Sequence, residues 1–104
     1  DEQNITRQSV NTMLHEHQMQ LGHILEVSSM DLLIQFAQVG LGIACVIKEF
    51  VQNDLDKEIL VEAPLGLTFP SREIGFVCKK GSENQKLSDT TGRNLEKFRF
   101  ATPK

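Results

Sequence analysis

The sequence predicts an α/β domain with a mostly parallel, mixed sheet flanked by helices. Two observations carry this prediction: a strand, a helix and a second strand follow one another between His23 and Ile47, and the second strand is almost wholly apolar. Two parallel strands joined by a helix form a β-α-β unit, for which a right-handed crossover is expected. At 104 residues the chain has room for one domain with a modest core.

The first strand is predicted at His23–Val27 and leads into a helix over Met30–Val39. Four apolar residues of that helix recur at helical spacing and define one buried face: Met30, Leu33, Phe36 and Ala37. Ser28 is the predicted N-cap, which places the Asp31 carboxylate near the positive end of the helix. Gly40 follows the last apolar residue and is predicted to be the left-handed C-cap.

The second strand is predicted at Leu41–Ile47. It is apolar apart from Gly42, which is typical of a strand covered on both faces of a sheet. One or two helical turns are expected over Lys48–Asn53, with Phe50 or Val51 packed inward.

The rest of the chain supplies the flanking elements. Helices are predicted over Asn4–Gln20 and from Ser88 to about Phe98, and strands over Glu58–Glu62 and Ser71–Lys79. Prolines and a glycine mark Glu62–Pro70 as a connector.

Composition narrows the possible functions. The net charge of −3 and pI near 5.6 leave no positive surface for nucleic acid. No apolar run is long enough for a membrane helix, and the first residues do not form a signal peptide. Cys45 and Cys78 lie within predicted strands and are interpreted as buried thiols, with a disulfide or ligand pair as the alternative. A cytoplasmic location is the corresponding expectation.

The residues suggest neither a catalytic centre nor a metal site. His15 and His17 are two positions apart on a predicted helix and point in different directions. The pair Gly40 and Gly42 lacks the third glycine of a dinucleotide-binding loop, and it precedes a strand instead of following one. The acidic residues between Asp54 and Glu62 are interpreted as solvated charges. No cofactor, metal ligand or catalytic residue is predicted.

Two helix starts are candidate ligand contacts: Asn4–Arg7 and Ser28–Met30. Each combines hydroxyl or amide side chains with backbone N–H groups at a positive helix end, which suits carboxylates and other small anions. The alternative, which the residues alone favour, is that Thr6, Ser28 and Ser29 only cap helices.

The stretch EVSSMDLLIQFAQVGLGIACV at residues 26–46 resembles the effector-binding domain of LysR-type transcriptional regulators. The resemblance extends through Asn4–Arg7, through Pro70–Arg72 with the strand that follows, and to Leu87–Ser88 at the start of the last predicted helix. One departure is that Val46–Glu49 stands where the family usually has a proline, so a different exit from the strand is expected.

The resemblance implies a periplasmic-binding-protein-like fold of two α/β subdomains that hold an effector in the cleft between them. Under this interpretation residues 1–63 form part of the second subdomain, without its first strand. Residues 64–71 form a crossover or hinge, and residues 72–104 supply a returning strand and the C-terminal helix of the first subdomain.

Carried over by position, the resemblance assigns effector contacts to five residues: Asn4, Ile5, Thr6, Ser28 and Ser29. Gly40 and Gly42 correspond to a structural turn that lets the next strand pack closely. The partner is a small-molecule effector, with an anion as one possibility. DNA would be bound only through a winged helix-turn-helix that this chain does not contain, and no membrane partner is implied.

We therefore expect a non-enzymatic fragment of a bacterial LysR-type regulator. Because an incomplete sheet exposes strand edges and an apolar face, self-association is also expected. The alternative function is a fragment of a transporter's solute-binding protein, which shares the fold. A small α/β enzyme would need a set of convergent catalytic groups that the sequence does not show.

Overall fold

A computed structural model describes Gln8, Thr12 and residues 23–63, 73–82 and 99–104. Its elements, in chain order, are β1 (His23–Val27), α1 (Met30–Gln38), β2 (Ile43–Ile47), a 3-10 helix (Lys48–Val51), α2 (Gln52–Asp56), β3 (Leu60–Glu62), β4 (Ile74–Lys79) and β5 (Arg99–Pro103). Among the described residues, no helix has the length and apolar character needed to cross a membrane.

The five strands form one mixed sheet in the order β1-β5-β2-β4-β3. β5 is parallel to both β1 and β2, whereas β4 is antiparallel to both β2 and β3. The α/β class and the mixed sheet are as predicted. In the part of the chain that the structure describes, the parallel strands are β1, β5 and β2, and two parallel pairings stand beside two antiparallel ones.

Helix α1 begins at Met30, as predicted, but its N-cap is not the predicted residue. Its N-cap is Ser29, not Ser28, and the Ser29 side chain accepts a hydrogen bond from the Leu32 N–H. The prediction of Ser28 as the cap is therefore wrong, because the backbone turns into the helix only after Ser29. At the other end, Gly40 has φ +80° and the Leu41 N–H donates to the Phe36 carbonyl, as expected for a left-handed C-terminal cap.

The apolar face of α1 packs on one face of the sheet and forms the main core. The fully or largely buried residues of this core are Leu33, Phe36, Ala37, Ala44, Val46, Val51, Leu60, Val77 and Ala101. These residues come from α1, the 3-10 helix and four strands, so α1 holds most of the sheet together by the burial of apolar surface.

The opposite face of the sheet is also apolar and buried. It carries Ile43, Cys45 and Ile47 of β2, Phe76 and Cys78 of β4, and Phe100 of β5. The rings of Phe76 and Phe100 meet edge to face with their centroids 5.8 Å apart. All five residues of β2 are buried, which confirms the prediction of a strand covered on both faces.

Strand β5 was not predicted from the sequence. β4 and β5 come from the segment assigned to another subdomain, yet they share one sheet with β1, β2 and β3. β4 forms its ladder directly with β3, so strands from both sides of residues 64–71 are paired in this sheet. The division of the chain into subdomains at these residues stays a prediction.

The structure tests some of the predictions for the helices and the connector. The turns after β2 are present, with Val51 buried and Phe50 exposed. Gln8 and Thr12 are helical and exposed, while the rest of the Asn4–Gln20 helix lies outside the described residues. The Ser88–Phe98 helix and most of the Glu62–Pro70 connector also lie outside them.

Candidate functional site

The carboxyl ends of the three parallel strands lie at one edge of the sheet. They are Val27 of β1, Pro103 of β5 and Ile47 of β2. In α/β sheets, ligands usually bind beyond this edge, where the loops leave the strands. Ser28 and Ser29 form the loop that leaves β1, so the structure places both at the edge where a ligand is expected.

The two serines have different environments. Ser28 is exposed, whereas Ser29 is half-buried and caps α1, with its Oγ 3.4 Å from the Leu32 nitrogen. The Ser29 carbonyl accepts the first regular helical bond, from the Leu33 N–H at 3.1 Å. The N–H groups of Met30 and Asp31 precede that bond and have no acceptor within the helix. They are the donors that a ligand at this turn could use.

This turn is held in place by β5. Val27 pairs with Pro103 in the β1–β5 ladder, and the Lys104 N–H donates to the Val27 carbonyl at 3.0 Å. Ser28 is therefore attached directly to a residue that is hydrogen-bonded into the sheet. A binding group on such a rigid base loses little conformational freedom when it contacts a ligand.

The charges near this edge are mixed. Asp31, in the first helical turn, is an exposed carboxylate at the positive end of α1, and Glu26 of β1 is a second exposed carboxylate near this edge on the other face of the sheet. Asp31 itself interacts favourably with the helix end and so reduces the attraction for an external anion. Lys104 is the neighbouring cation along this edge. Hydrogen-bonding geometry is consequently a stronger basis for recognition here than net charge.

Asn4, Ile5 and Thr6 lie outside the described residues. Their predicted proximity to Ser28 and Ser29 therefore stays a prediction. The described half of the site consists of the β1–α1 turn alone.

Thr102 is a polar residue at this edge that the sequence did not identify. It is 6% exposed, and it pairs with Glu26 in the ladder. Val27 belongs to the core under α1, so the alternation of the strands directs Glu26 and Thr102 to the opposite face. In the β1–β5 ladder, Thr102 is therefore only one pair away from the end of β1. Its side chain does not face the start of α1. No sequence signal identified it, because its strand was not predicted.

Gly40 and Gly42 both have structural reasons for lacking a side chain. Gly40 has the positive φ of the helix cap. A Cβ atom on Gly42 would lie 2.3 Å from the Arg99 carbonyl oxygen and 2.9 Å from the Phe36 ring. Gly42 therefore allows β5 and α1 to approach the start of β2 closely.

The described part of the chain has few features of a catalytic or metal-binding site. No group of three or more His, Cys, Asp or Glu residues is placed there to bind a metal ion. Cys45 and Cys78 do not form a disulfide, and both are buried. Burial raises the pKa of the Cys45 thiol to about 12, which leaves it protonated and unreactive at neutral pH.

Comparison with known proteins gives one family. A family model described as the LysR substrate binding domain matches residues 1–93. No curated protein and no solved structure matches the chain.

Proposed function

Because this chain belongs to the LysR substrate-binding domain family, we propose that it senses a small-molecule effector for a LysR-type transcriptional regulator. The fold is periplasmic-binding-protein-like, and the matched residues include the whole β1–α1–β2 unit. The effector would bind beside the β1–α1 turn, and its binding would be transmitted to a DNA-binding region outside this chain.

The arrangement of the β1–α1 turn is the observation that carries this proposal. The exposed Ser28 hydroxyl and the N–H groups of Met30 and Asp31 lie together beyond the carboxyl edge of the sheet. Such donors suit a ligand with an acceptor group, for example a carboxylate. Since Asp31 partly neutralises the helix end, we expect the ligand to be bound through directed hydrogen bonds.

Substitution of Ser28 tests the site. Titration of the chain with a panel of small carboxylic acids, followed by the amide NMR signals of residues 28–31, would identify a binding acid. Ser28→Ala should weaken its binding about tenfold if one charge-assisted hydrogen bond is lost, while the free energy of unfolding stays within about 0.5 kcal/mol. Unchanged affinity in Ser28→Ala would contradict a direct role for this hydroxyl.

Ser29→Ala is the matched variant for the capping role. Ser29 caps α1, so its replacement should lower the free energy of unfolding by about 1 kcal/mol even without a ligand. Ser28→Ala should lack this effect because Ser28 is not the cap. The pair therefore separates ligand contact from helix capping, which the sequence left as alternatives.

We propose that the chain has no catalytic activity and works in the cytoplasm. The family consists of regulators, and the Cys45 thiol is protonated and buried instead of activated. Turnover of the bound effector by the protein would contradict this part of the proposal.

We also propose that the chain self-associates through the outer side of β1 and α1. Among the strands of the described residues, β1 is at one end of the sheet, and its Leu25 is 53% exposed. Leu32 of α1 and Val39, the C-cap that follows it, are seven positions apart, and both are more than half exposed. An edge strand beside an exposed apolar helix face is a surface that a second copy could cover.

Sedimentation equilibrium of Val39→Lys tests this surface. The added charge should weaken association at least tenfold and leave the circular dichroism spectrum unchanged. Phe50→Lys is the control, because Phe50 is 52% exposed but belongs to the 3-10 helix after β2. An interface at β1 and α1 would be contradicted if both variants weakened self-association equally. It would also be contradicted if neither variant weakened it.

A further inference from the structure

β1 and β2 are joined by α1 but are not neighbours in the sheet. β5 lies between them and is hydrogen-bonded to both. The β1–α1–β2 unit by itself therefore leaves a space one strand wide. An extended segment from elsewhere must fill this space if both ladders are to be complete.

The space fits β5 closely. Phe100 and Ala101 are fully buried, with Phe100 against Phe76 on one face and Ala101 in the core beneath α1 on the other. The Arg99 carbonyl approaches Gly42 so closely that a Cβ atom could not be placed there. The site between β1 and β2 is thus shaped for a strand with a large apolar residue followed by a small one.

The strand that fills this space comes from a distant part of the chain. Nineteen residues separate Lys79 at the end of β4 from Arg99 at the start of β5. The family match ends at residue 93, so β5 also lies beyond the matched residues. The matched part of the chain supplies both walls of the space but not the strand that fills it.

We propose that β5 is an exchangeable strand, which one copy of the chain can insert between β1 and β2 of a second copy. The contacts of β5 with β1, β2, Phe76 and Gly42 would be the same whichever copy supplies it, as in domain swapping. Nineteen residues span at most about 68 Å when extended, whereas two strand spacings are about 10 Å. The connection is therefore long enough in principle to reach a neighbouring molecule. The exchange does not depend on effector binding.

Concentration determines how much exchange occurs. A covalently linked strand competes at an effective concentration in the millimolar range. Exchange should therefore be rare when the protein refolds at about 10 μM and common when it refolds at about 1 mM, which is near that effective concentration.

Cysteine trapping between Glu26 and Thr102 tests this inference. These two residues are paired in the β1–β5 ladder, and Thr102 is buried. The variants E26C and T102C are unfolded together, refolded at low or high concentration, oxidised, and examined by peptide mass spectrometry. Neither variant alone can form a 26–102 disulfide, so this disulfide in the mixture requires strand exchange. A surface dimer would not produce it because Thr102 lies within the sheet.

The double variant E26C/T102C, refolded at low concentration, is the control for geometry and should form the 26–102 disulfide within one chain. The expected result is an intermolecular 26–102 disulfide in the mixture that increases at least tenfold between the two concentrations. A disulfide in the double variant without any in the concentrated mixture would overturn the exchange. Its absence from both samples would overturn the β1–β5 pairing on which the proposal rests.

Discussion

Lys48 reaches across β4 to form an ion pair with Glu62. Its Nζ lies 2.9 Å from Glu62 Oε1, although Lys48 follows β2 and Glu62 ends β3, with β4 between them. The side-chain stem passes over Gly75 of β4, where a Cβ atom would lie 2.6 Å from Lys48 Cε. The missing side chain at position 75 therefore gives the lysine its route across the sheet.

We predict that Gly75→Ala and Glu62→Gln are coupled. The new methyl group should displace the flexible end of Lys48 and weaken the ion pair, so Glu62→Gln should cost less in the Gly75→Ala background. The Lys48 and Glu62 side chains are 29% and 57% exposed. Solvent therefore screens their ion pair, and the expected coupling energy is only about 0.5 kcal/mol. Urea unfolding of the two single variants and the double variant measures the coupling. If the two losses of unfolding free energy simply added in the double variant, the path of the Lys48 side chain over Gly75 would be contradicted.

Gly42→Ala should destabilise the protein more than Gly40→Ala. The Cβ at position 42 would meet the backbone oxygen of Arg99, which cannot move without shifting β5, so a loss of about 3 kcal/mol is expected. At position 40 the nearest atom is a flexible Lys79 carbon at 3.3 Å, and the positive φ costs about 1 kcal/mol. Equilibrium unfolding of both variants compares the losses; the reverse order would refute this account.

Glu58→Gly should be more stable than Glu58→Ala. Glu58 has φ +60° just after α2, and the Ile59 N–H donates to the Asp54 carbonyl, so this helix ends as α1 does at Gly40. Both variants lose the glutamate side chain, but only glycine relieves the backbone strain, by about 1 kcal/mol. Thermal unfolding of the two variants gives this difference directly. Equal melting temperatures would argue against strain at position 58.

The Glu58 carboxyl should titrate below its ordinary range. A hydrogen bond from Lys80, together with the lysine's charge, lowers the pKa of Glu58 from 4.5, and Nζ lies 2.6 Å from Oε2. A lowered pKa means that the ion pair contributes to stability above about pH 4.5 and that this contribution is lost as the pH falls through the lowered pKa. NMR titration should show the Glu58 pKa returning toward 4.5 in Lys80→Met. No change in that variant would exclude Lys80 as the cause.

Cys45 should resist alkylation until the protein unfolds. With a pKa of about 12, roughly one thiol in 10⁴ is a thiolate at pH 8. Iodoacetamide treatment at pH 8, with peptide mass spectrometry, should show little modification of Cys45 in buffer and complete modification in concentrated urea. Rapid labelling of the native protein would show that the second face of the sheet is open to solvent.

The β1–α1–β2 unit could be predicted because its signals are local. The helical spacing of Leu33 and Phe36 fixed the buried face of α1, and Gly40 marked its end. The choice between Ser28 and Ser29 as cap could not be made from sequence, since either serine can accept the bond and the backbone geometry decides.

β5 could not be predicted because its stability depends on distant residues. The segment from Arg99 to Pro103 is short, contains a proline and has one large apolar side chain, that of Phe100. It becomes a central strand because it pairs with β1 on one side and β2 on the other, and because Phe100 packs against the ring of Phe76. Thr102 remained unidentified for the same reason, and so did the continuity of the sheet across the predicted hinge.

The central position of β5 also sets an order of events during synthesis. A ribosome makes His23 long before Arg99, its partner in the β1–β5 ladder, so the parallel half of the sheet stays incomplete until nearly all of this sequence has been translated. During that interval β1 and β2 both lack their β5 partner, and unpaired strand edges of this kind favour aggregation. We expect this sheet to form slowly, because closing so large a loop must precede the last ladder.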